Sequence, residues 1–390
     1  MNILFISLME GFPWGGSEEL WNKVASYALE RKDGVICSVK KWHTISDKIL
    51  FLKNNGATIV ERENKILKSG YYNKIKRRLK NFFFNSSKPD IWYELSKYDI
   101  DNICINFGGC YDILYFPSLI SFVQKTAKPY SIIVQLNHEN FPLSNDERNT
   151  VRVFFQKAHS IFFVSERNKI VSERNLAIHI KNGFVVDNPI KIEQKGIIDF
   201  ATTEVWHLAC VARFDCKYKN QDILLQIISS PYWKEQSLHL NLYGEGSDEE
   251  YLRELITLYD LNSKVTIHGH IKDIRAVWVK NHILILPSFA EGTPLSLIEA
   301  VFCGRTAVVT DVGGNAALID DEINGFLADC YQLQSFEKTL KKAWERREYW
   351  KEMGEKAFAK ATTKIKTDSH KVIYNNLSRD ERHINSDLLL

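Results

Sequence analysis

The sequence contains no run of about 18 apolar residues, so nothing in it reads as a membrane-spanning helix. It also lacks a large surplus of either charge: 51 Lys and Arg face 48 Asp and Glu, for a net charge of +3. Nucleic acid as the main partner would call for a strongly basic face, and this balance gives no case for one. The seven cysteines (Cys37, Cys104, Cys110, Cys210, Cys216, Cys303 and Cys330) include no C-x-x-C pair and no nearby His at zinc spacing. They read as buried, small apolar residues of a reducing compartment. The opening MNILFISL has no positive n-region and meets Glu10 almost at once, which marks a first strand and not a signal peptide. The dinucleotide fingerprint G-x-G-x-x-G is missing too. Gly11, Gly15 and Gly16 have the wrong spacing, and after Gly244 and Gly246 the third glycine would fall at Glu249. The expectation is a cytoplasmic protein without a nicotinamide cofactor.

What is present is a chain of 390 residues with 45% hydrophobic content, enough to bury large cores and to form two domains or three. Its most informative stretch runs from His282 to Gly314. Ile283 to Leu286 is short, apolar and closed by Pro287, which suits a buried parallel strand. Thr293 reads as an N-cap and Pro294 as the first helical residue, where a missing N–H costs nothing. Leu295, Leu297, Ile298 and Val301 supply the apolar face, Gly304 ends the helix, and Thr306 to Thr310 reads as the next strand. Two carboxylates sit on this unit, Glu291 in the loop and Glu299 in the second helical turn. The free amides at Leu295 and Ser296, with the positive end of the helix dipole, suit an anion such as phosphate. Carboxylates beside them suit sugar hydroxyls. Taken singly, a loop Glu and a solvated helix Glu look the same.

Elsewhere the chain alternates strands and helices. Asn2 to Leu8 reads as a strand leading through Gly15 and Gly16 into a helix capped by Ser17. This is either a second anion site or a plain tight turn. Residues 62 to 84 are basic and aromatic, from Arg62 to Lys80 and Phe82 to Phe84. Such a segment either lies on an anionic membrane surface or packs as a solvated helix. Tyr130 to Leu136 is a strand, and His138 falls just past its carboxyl end, where open α/β sheets bind ligands. After the strand Trp206 to Ala212 comes a loop with Arg213, Lys217 and Lys219. Arg grips phosphate as a fork and Lys acts as a point charge. Gly244 and Gly246 form a turn after the strand Leu238 to Tyr243. His268, His270 and His282 invite a metal reading, but no Asp or Glu stands at a ligand spacing. Leu333 to Ala357 reads as helical, and the tail from Ser378 to Leu390 as frayed.

Glu291-Gly-Thr-Pro-Leu-Ser-Leu-Ile-Glu299-Ala, followed by Cys303-Gly304 and Asp311-Val-Gly-Gly314, closely resembles the E-x7-E signature of retaining nucleotide-sugar glycosyltransferases, glycosyltransferase family 4. The match is specific from about His207 to Ala357. In the first half it rests on the strand-loop plan and Gly15-Gly16-Ser17-Glu18. Two departures stand out: Ala316-Ala317 replaces the usual Pro-Glu, and Thr306 replaces a common Pro.

The resemblance implies an α/β protein of GT-B architecture, with two Rossmann-like parallel-sheet domains facing an interdomain cleft. Residues 1–190 would form the acceptor-side domain, 191–204 a hinge, and 205–361 the nucleotide-sugar domain. A helix at about 362–377 would return to the first domain. Arg213 and Lys219 would hold the donor diphosphate, with Gly15, Gly16, Gly244, Gly246 and the helix start at Thr293, Pro294, Leu295 and Ser296. Glu291 would bind the donor sugar, Glu299 the ribose, and His138 would contact the sugar or support the transition state. The donor would be a UDP-, GDP- or ADP-sugar, with no further cofactor and no metal. The acceptor would be a saccharide or lipid-linked glycan at the inner face of a membrane. Two other readings share the binding loops, a nucleotide-sugar 2-epimerase and a non-catalytic sensor. The joint presence of Arg213, Lys219, Glu291 and Glu299 argues against the sensor.

Overall fold

Apolar runs closed by turn residues become the strands. Ile3 to Ile6 is completely or almost completely buried, as expected of a parallel strand covered on both faces. The computed structural model describes residues 1–63, 91–190, 192, 196–200, 204–271 and 273–378. These residues contain two parallel sheets. The first comprises β1 (Asn2–Ser7), β2 (Gly34–Lys40), β3 (Thr58–Arg62), β4 (Asn102–Phe107), β5 (Tyr130–Val134), β6 (Ser160–Phe163) and β7 (Gly183–Val185), in the order β3-β2-β1-β4-β5-β6-β7. The second comprises β8 (Trp206–Val211), β9 (Leu238–Tyr243), β10 (Val265–Gly269), β11 (Ile283–Leu286), β12 (Thr306–Thr310) and β13 (Phe326–Ala328), in the order β10-β9-β8-β11-β12-β13.

Both orders reverse beside their first strand. Such a reversal opens a crevice at the carboxyl ends of two neighbouring strands. In the second sheet β8 and β11 pair in parallel, Ile283 against Leu208 and Leu284 against Ala209. The loops after these two strands therefore emerge side by side, although they lie far apart in sequence.

The described residues form two compact units. Met1–Ile133, Asn145–Ile161 and the described part of His370–Leu390 make the first; Val134–Ser144 and Phe162–Ser369 make the second. In the first unit the last helix, Ser369–Ser378, places Tyr374 on the segment after the first helix. Its hydroxyl donates to Asp33 at 2.6 Å and its ring meets Tyr27 edge-on. In the second unit the core gathers Trp233, Trp278, Trp344 and Trp350 around the sheet. Arg305 is also buried there, and its guanidinium donates to the carbonyls of Trp278, Asn281, Ile198, Cys303 and Asp199. A planar group with five donors can satisfy so many carbonyls at once.

Several local expectations change. The helix expected at Ser17 begins with a 3-10 turn, Gly16–Glu18, and becomes α-helical over Glu19–Glu30, and Ser17 does not cap it. Leu333 to Ala357 is not one helix but Leu333–Glu345, a 3-10 turn Arg347–Tyr349, and Trp350–Lys364. The break turns the chain so that Trp344 and Trp350 meet edge-on in the core. Trp350–Lys364 also takes in the start of the helix expected at 362–377. Arg62 is not a surface cation: it is 2% exposed, donates to Ser38 Oγ and the Ser7 carbonyl, and lies 4.9 Å from the Trp92 ring centroid. The rest of the basic segment beyond Glu63, the tail after Ser378 and most of 191–204 lie outside the described residues. Five cysteines are buried as free thiols, while Cys216 and Cys330 are half-buried. No helix among the described residues is long and apolar enough to cross a membrane.

Candidate functional site

Arg213 and Lys219 stand on the loop after β8. Gly244 and Gly246 set the place of that loop. A Cβ on Gly244 would lie 2.1 Å from the Ala212 carbonyl oxygen, and one on Gly246 would lie 2.1 Å from that of Phe214. Gly244 also has a φ of +149°. Only glycine lets the two backbones come this close. The Phe214 amide then donates to the Glu245 carbonyl at 3.0 Å, and the Cys216 amide to Asp248 Oδ2 at 2.7 Å. The glycines expected to line a ligand thus seat the cationic loop.

The loop continues as one helical turn, Cys216–Lys219, closed by Asn220 in the left-handed region at φ 51°. Asn220 Nδ2 donates to the Pro287 carbonyl at 2.8 Å, and the Phe289 amide donates to the Tyr218 carbonyl at 2.8 Å. These bonds tie the loop after β8 to the loop after β11. Their consequence is an ion pair of 2.5 Å between Lys219 Nζ and Glu291 Oε1, with side-chain exposures of 19% and 7%. Arg213 pairs with Asp215 at 2.8 Å. The Asp215 and Asp248 contacts were not anticipated from sequence.

The Glu291 loop is also seated by glycine. A Cβ on Gly313 would lie 2.2 Å from the Glu291 carbonyl oxygen, and Gly313 has a φ of +54°. The next helix begins one residue later than expected: Pro294 is the cap and Leu295–Phe302 the helix. Thr293 does not cap it, because its hydroxyl donates to the Val164 carbonyl at 2.7 Å. The amides of Leu297 and Ile298 reach the Pro294 carbonyl, so those of Leu295 and Ser296 precede the first helical bond. Glu299 is 7% exposed, and so is not the solvated helix residue its type suggests.

His138 lies beyond β5, within the second unit. Its ring centroid is 5.5 Å from that of Tyr218, 5.2 Å from Phe289 and 5.8 Å from Phe141. Burial, and then the charge of Lys217, push its pKa down to about 4, so the imidazole is neutral at neutral pH. Arg167 joins Glu139 and Asp311 at 2.5 Å each. Among the described residues no group of three or more His, Cys, Asp and Glu is placed to hold a metal ion. His268 instead bonds Asn241 Oδ1, and His282 accepts from the His207 amide.

In the first unit Gly15 and Gly16 enter the first helix, followed by a residue passed over in the sequence reading. Glu18 is 3% exposed and accepts from Trp21 Nε1 at 2.9 Å and Asn106 Nδ2 at 3.0 Å. Burial pushes its carboxyl up to about 7. The only sequence signal was its place in the Gly-Gly-Ser-Glu run.

Two doubly wound parallel sheets, the second with cations and a carboxylate joined at its switch point, define a GT-B architecture. Residues 206–346 match the family model described as Glycosyl transferases group 1. The chain is 23% identical over 260 residues to the poly(ribitol-phosphate) alpha-N-acetylglucosaminyltransferase of Staphylococcus aureus (strain COL), covering 65% of this chain and 51% of that protein. It is 31% identical over 81 residues to the Escherichia coli UDP-Gal:alpha-D-GlcNAc-diphosphoundecaprenol alpha-1,3-galactosyltransferase, 21% of each chain. The chain thus spans about half or less of the curated relatives it matches. The crystal structure of Anabaena HepE in complex with UDP superposes with a TM-score of 0.67 at 17% identity, covering 97% of this chain and 100% of that one.

Proposed function

We propose that the protein is a retaining glycosyltransferase of family 4 that moves a sugar from a nucleotide-diphosphate sugar to a saccharide or lipid-linked acceptor. The observation that carries this reading is the Lys219–Glu291 pair, held with Arg213 at the switch point beside the start of helix Leu295–Phe302. As the donor's anomeric C–O bond breaks, its diphosphate gains negative charge. Arg213, Lys219 and the amides of Leu295 and Ser296 stabilise that charge, and such stabilisation is the largest usual source of rate. The acceptor oxygen bonds to the anomeric carbon on the same face, and its proton passes to a diphosphate oxygen. No side-chain nucleophile is needed, and the protein supplies the cations in place of a metal.

In this reading Glu291 binds the donor sugar and Glu299 the ribose, while neutral His138 donates or accepts at the sugar. Gly15 and Gly16 are further donor contacts in this reading. The two domains of this reading follow the two sheets, β1 to β7 within residues 1–190 and β8 to β13 within 205–361, with the hinge at 191–204, although by contacts Val134–Ser144 and the stretch from Phe162 group with the second unit. The acceptors in the relatives' names, poly(ribitol-phosphate) and a diphosphoundecaprenol-linked sugar, favour cell-surface glycan synthesis, and UDP in a structural neighbour makes UDP-sugars the first donors to try.

The test is a thermal-shift panel of UDP, GDP, ADP and their sugars on wild type beside Arg213→Ala, followed by product analysis with the donor that binds. A ligand raises stability by RT ln(1 + [L]/Kd). One nucleotide-sugar should stabilise wild type alone, and the product should keep the donor's anomeric configuration. Stabilisation equal in both proteins, or an inverted product, overturns the assignment. Glu299→Ala should weaken that nucleotide about tenfold.

A further inference from the structure

Arg167 has no part in the proposed donor chemistry, yet it joins two loops that do. It stands in the first turn of helix Glu166–Leu176, whose start is fixed by Ser165, the cap that accepts from the Asn168 amide at 3.1 Å. Arg167 Nε donates to Glu139 Oε1 and Nη1 to Asp311 Oδ1, both at 2.5 Å. Arg174, two turns on along the same helix, lies 3.5 Å from the other oxygen of Glu139. The side chains of Arg167, Glu139 and Asp311 are 35%, 30% and 39% exposed, and ion pairs as open as these add little to stability. What a planar guanidinium supplies instead is direction: two acids from different loops are held on one fork.

Both acids are a short step of main chain from a site residue. Glu139 follows His138 directly. Asp311 stands two residues before Gly313, which packs on the Glu291 carbonyl, and three before Gly314, whose amide donates to the Gly292 carbonyl at 2.5 Å. The two loops also meet away from the fork. A Cβ on Gly292 would lie 2.1 Å from the Gln135 carbonyl oxygen, and the Thr293 hydroxyl bonds the Val164 carbonyl at the root of the Arg167 helix. The loop after β5 and the Glu291 loop are therefore braced twice, by backbone contact at Gln135 and by Arg167 beside His138. A misplacement of about 1 Å between groups that share a substrate costs up to about a hundredfold in rate.

We propose that Arg167 is a positioning residue for the donor sugar: by joining Glu139 to Asp311 it sets the spacing between His138 and Glu291, and it touches neither sugar nor nucleotide. The word sugar rests on the transferase reading; the coupling of the two loops does not. Arg213 and Lys219 stand on the loop after β8, outside the fork, so grip on the diphosphate and placement of the sugar separate experimentally.

The experiment follows the His138 ring by two-dimensional NMR, ligand-free and saturated with UDP, UDP-glucose, UDP-galactose or UDP-N-acetylglucosamine, with UDP affinity from calorimetry. Wild type is compared with Arg167→Met, Asp311→Asn and the two combined. Arg167→Lys, which keeps the charge without the fork, repeats the test in a variant closer to wild type. At least one UDP-sugar should move the wild-type ring signals beyond the shift that UDP causes. That extra shift should be lost in every variant while UDP affinity stays within about twofold. In the ligand-free protein Arg167→Met should displace the ring signals, and the combined variant should displace them no further, because both changes break one coupling. An undiminished sugar shift in Arg167→Met and Arg167→Lys overturns the proposal, as does a wild-type ring that no UDP-sugar moves beyond the UDP shift. UDP affinity falling in step with the sugar response overturns it too, and leaves Arg167 a merely structural residue. If neither UDP nor any UDP-sugar binds wild type, the transferase reading falls, and the ligand-free ring decides the coupling: signals left in place by Arg167→Met overturn it.

Discussion

Lys219 and Glu291 are 72 residues apart in sequence and 2.5 Å apart in the fold. They meet because β8 and β11 are neighbours in the sheet and their following loops are cross-tied by Asn220 and Tyr218. Neither residue alone defines this relationship; the strand order does.

Removing Lys219 leaves a carboxylate of 7% exposure without its ammonium partner. Loss of one member of a buried pair costs several kcal/mol, and the partial exposure of Lys219 reduces this to about 2 kcal/mol. Lys219→Ala should therefore unfold at lower denaturant, and Lys219→Ala with Glu291→Gln should regain part of the loss. Chemical denaturation of both variants checks it. A double variant weaker than the single one sinks the argument.

A methyl group at Gly246 would overlap the Phe214 carbonyl oxygen, whereas one at Gly11 meets nothing within 4 Å. Gly246→Ala should destabilise the protein by about 3 kcal/mol or move the Arg213 loop, and Gly11→Ala should stay near wild type. Thermal melts and nucleotide binding of the two variants distinguish them. Equal behaviour would mean the loop is not seated as described.

Glu18 gives a pH dependence of definite sign. Its folded carboxyl sits near 7 against an ordinary 4.5, so the folded state binds the extra proton between those values. The stability it contributes is fully present below about pH 4.5 and is lost as pH rises through about 7, a change on the order of 3 kcal/mol. Glu18→Gln should abolish that component, so the variant gains on wild type from pH 5 to pH 8. Denaturation midpoints at both values measure it, and parallel curves for the two proteins would refute it.

The His138 ring should titrate near pH 4, because burial and Lys217 disfavour its cation. A depressed imidazole contributes stability that is present above about 6.5 and lost as pH falls toward about 4. Two-dimensional NMR of the ring should show it neutral at pH 6. A midpoint near 6.5 would place His138 in water.

The repeating strands could be read from the sequence, since buried apolar runs such as Ile283 to Leu286 carry their own signal. The carboxylates of the E-x7-E stretch could be read as well. Caps were less legible: Thr293 looks like one, yet its hydroxyl goes to the Val164 carbonyl, a partner that local pattern cannot reveal. Arg62 was misplaced for the same reason. Its residue type says surface, and only the fold brings Ser7, Ser38 and Trp92 around it. Glu18 gave no hint of burial, because that depends on Trp21 and on Asn106 from a distant strand. The broken helix after Leu333 was hidden because both halves are helix-forming and the turn is dictated by core packing.

Gly244 and Gly246 hold the Arg213 loop by close approach of main chain to main chain, with no side chain of the loop at the glycine contacts. Frame and cargo are thereby uncoupled. Substitutions at Lys217, which lies outside the Arg213–Asp215 and Lys219–Glu291 pairs, can retune charge while the loop keeps its path, so a mutational library aimed at the charge of this loop belongs there and should leave the two glycines untouched.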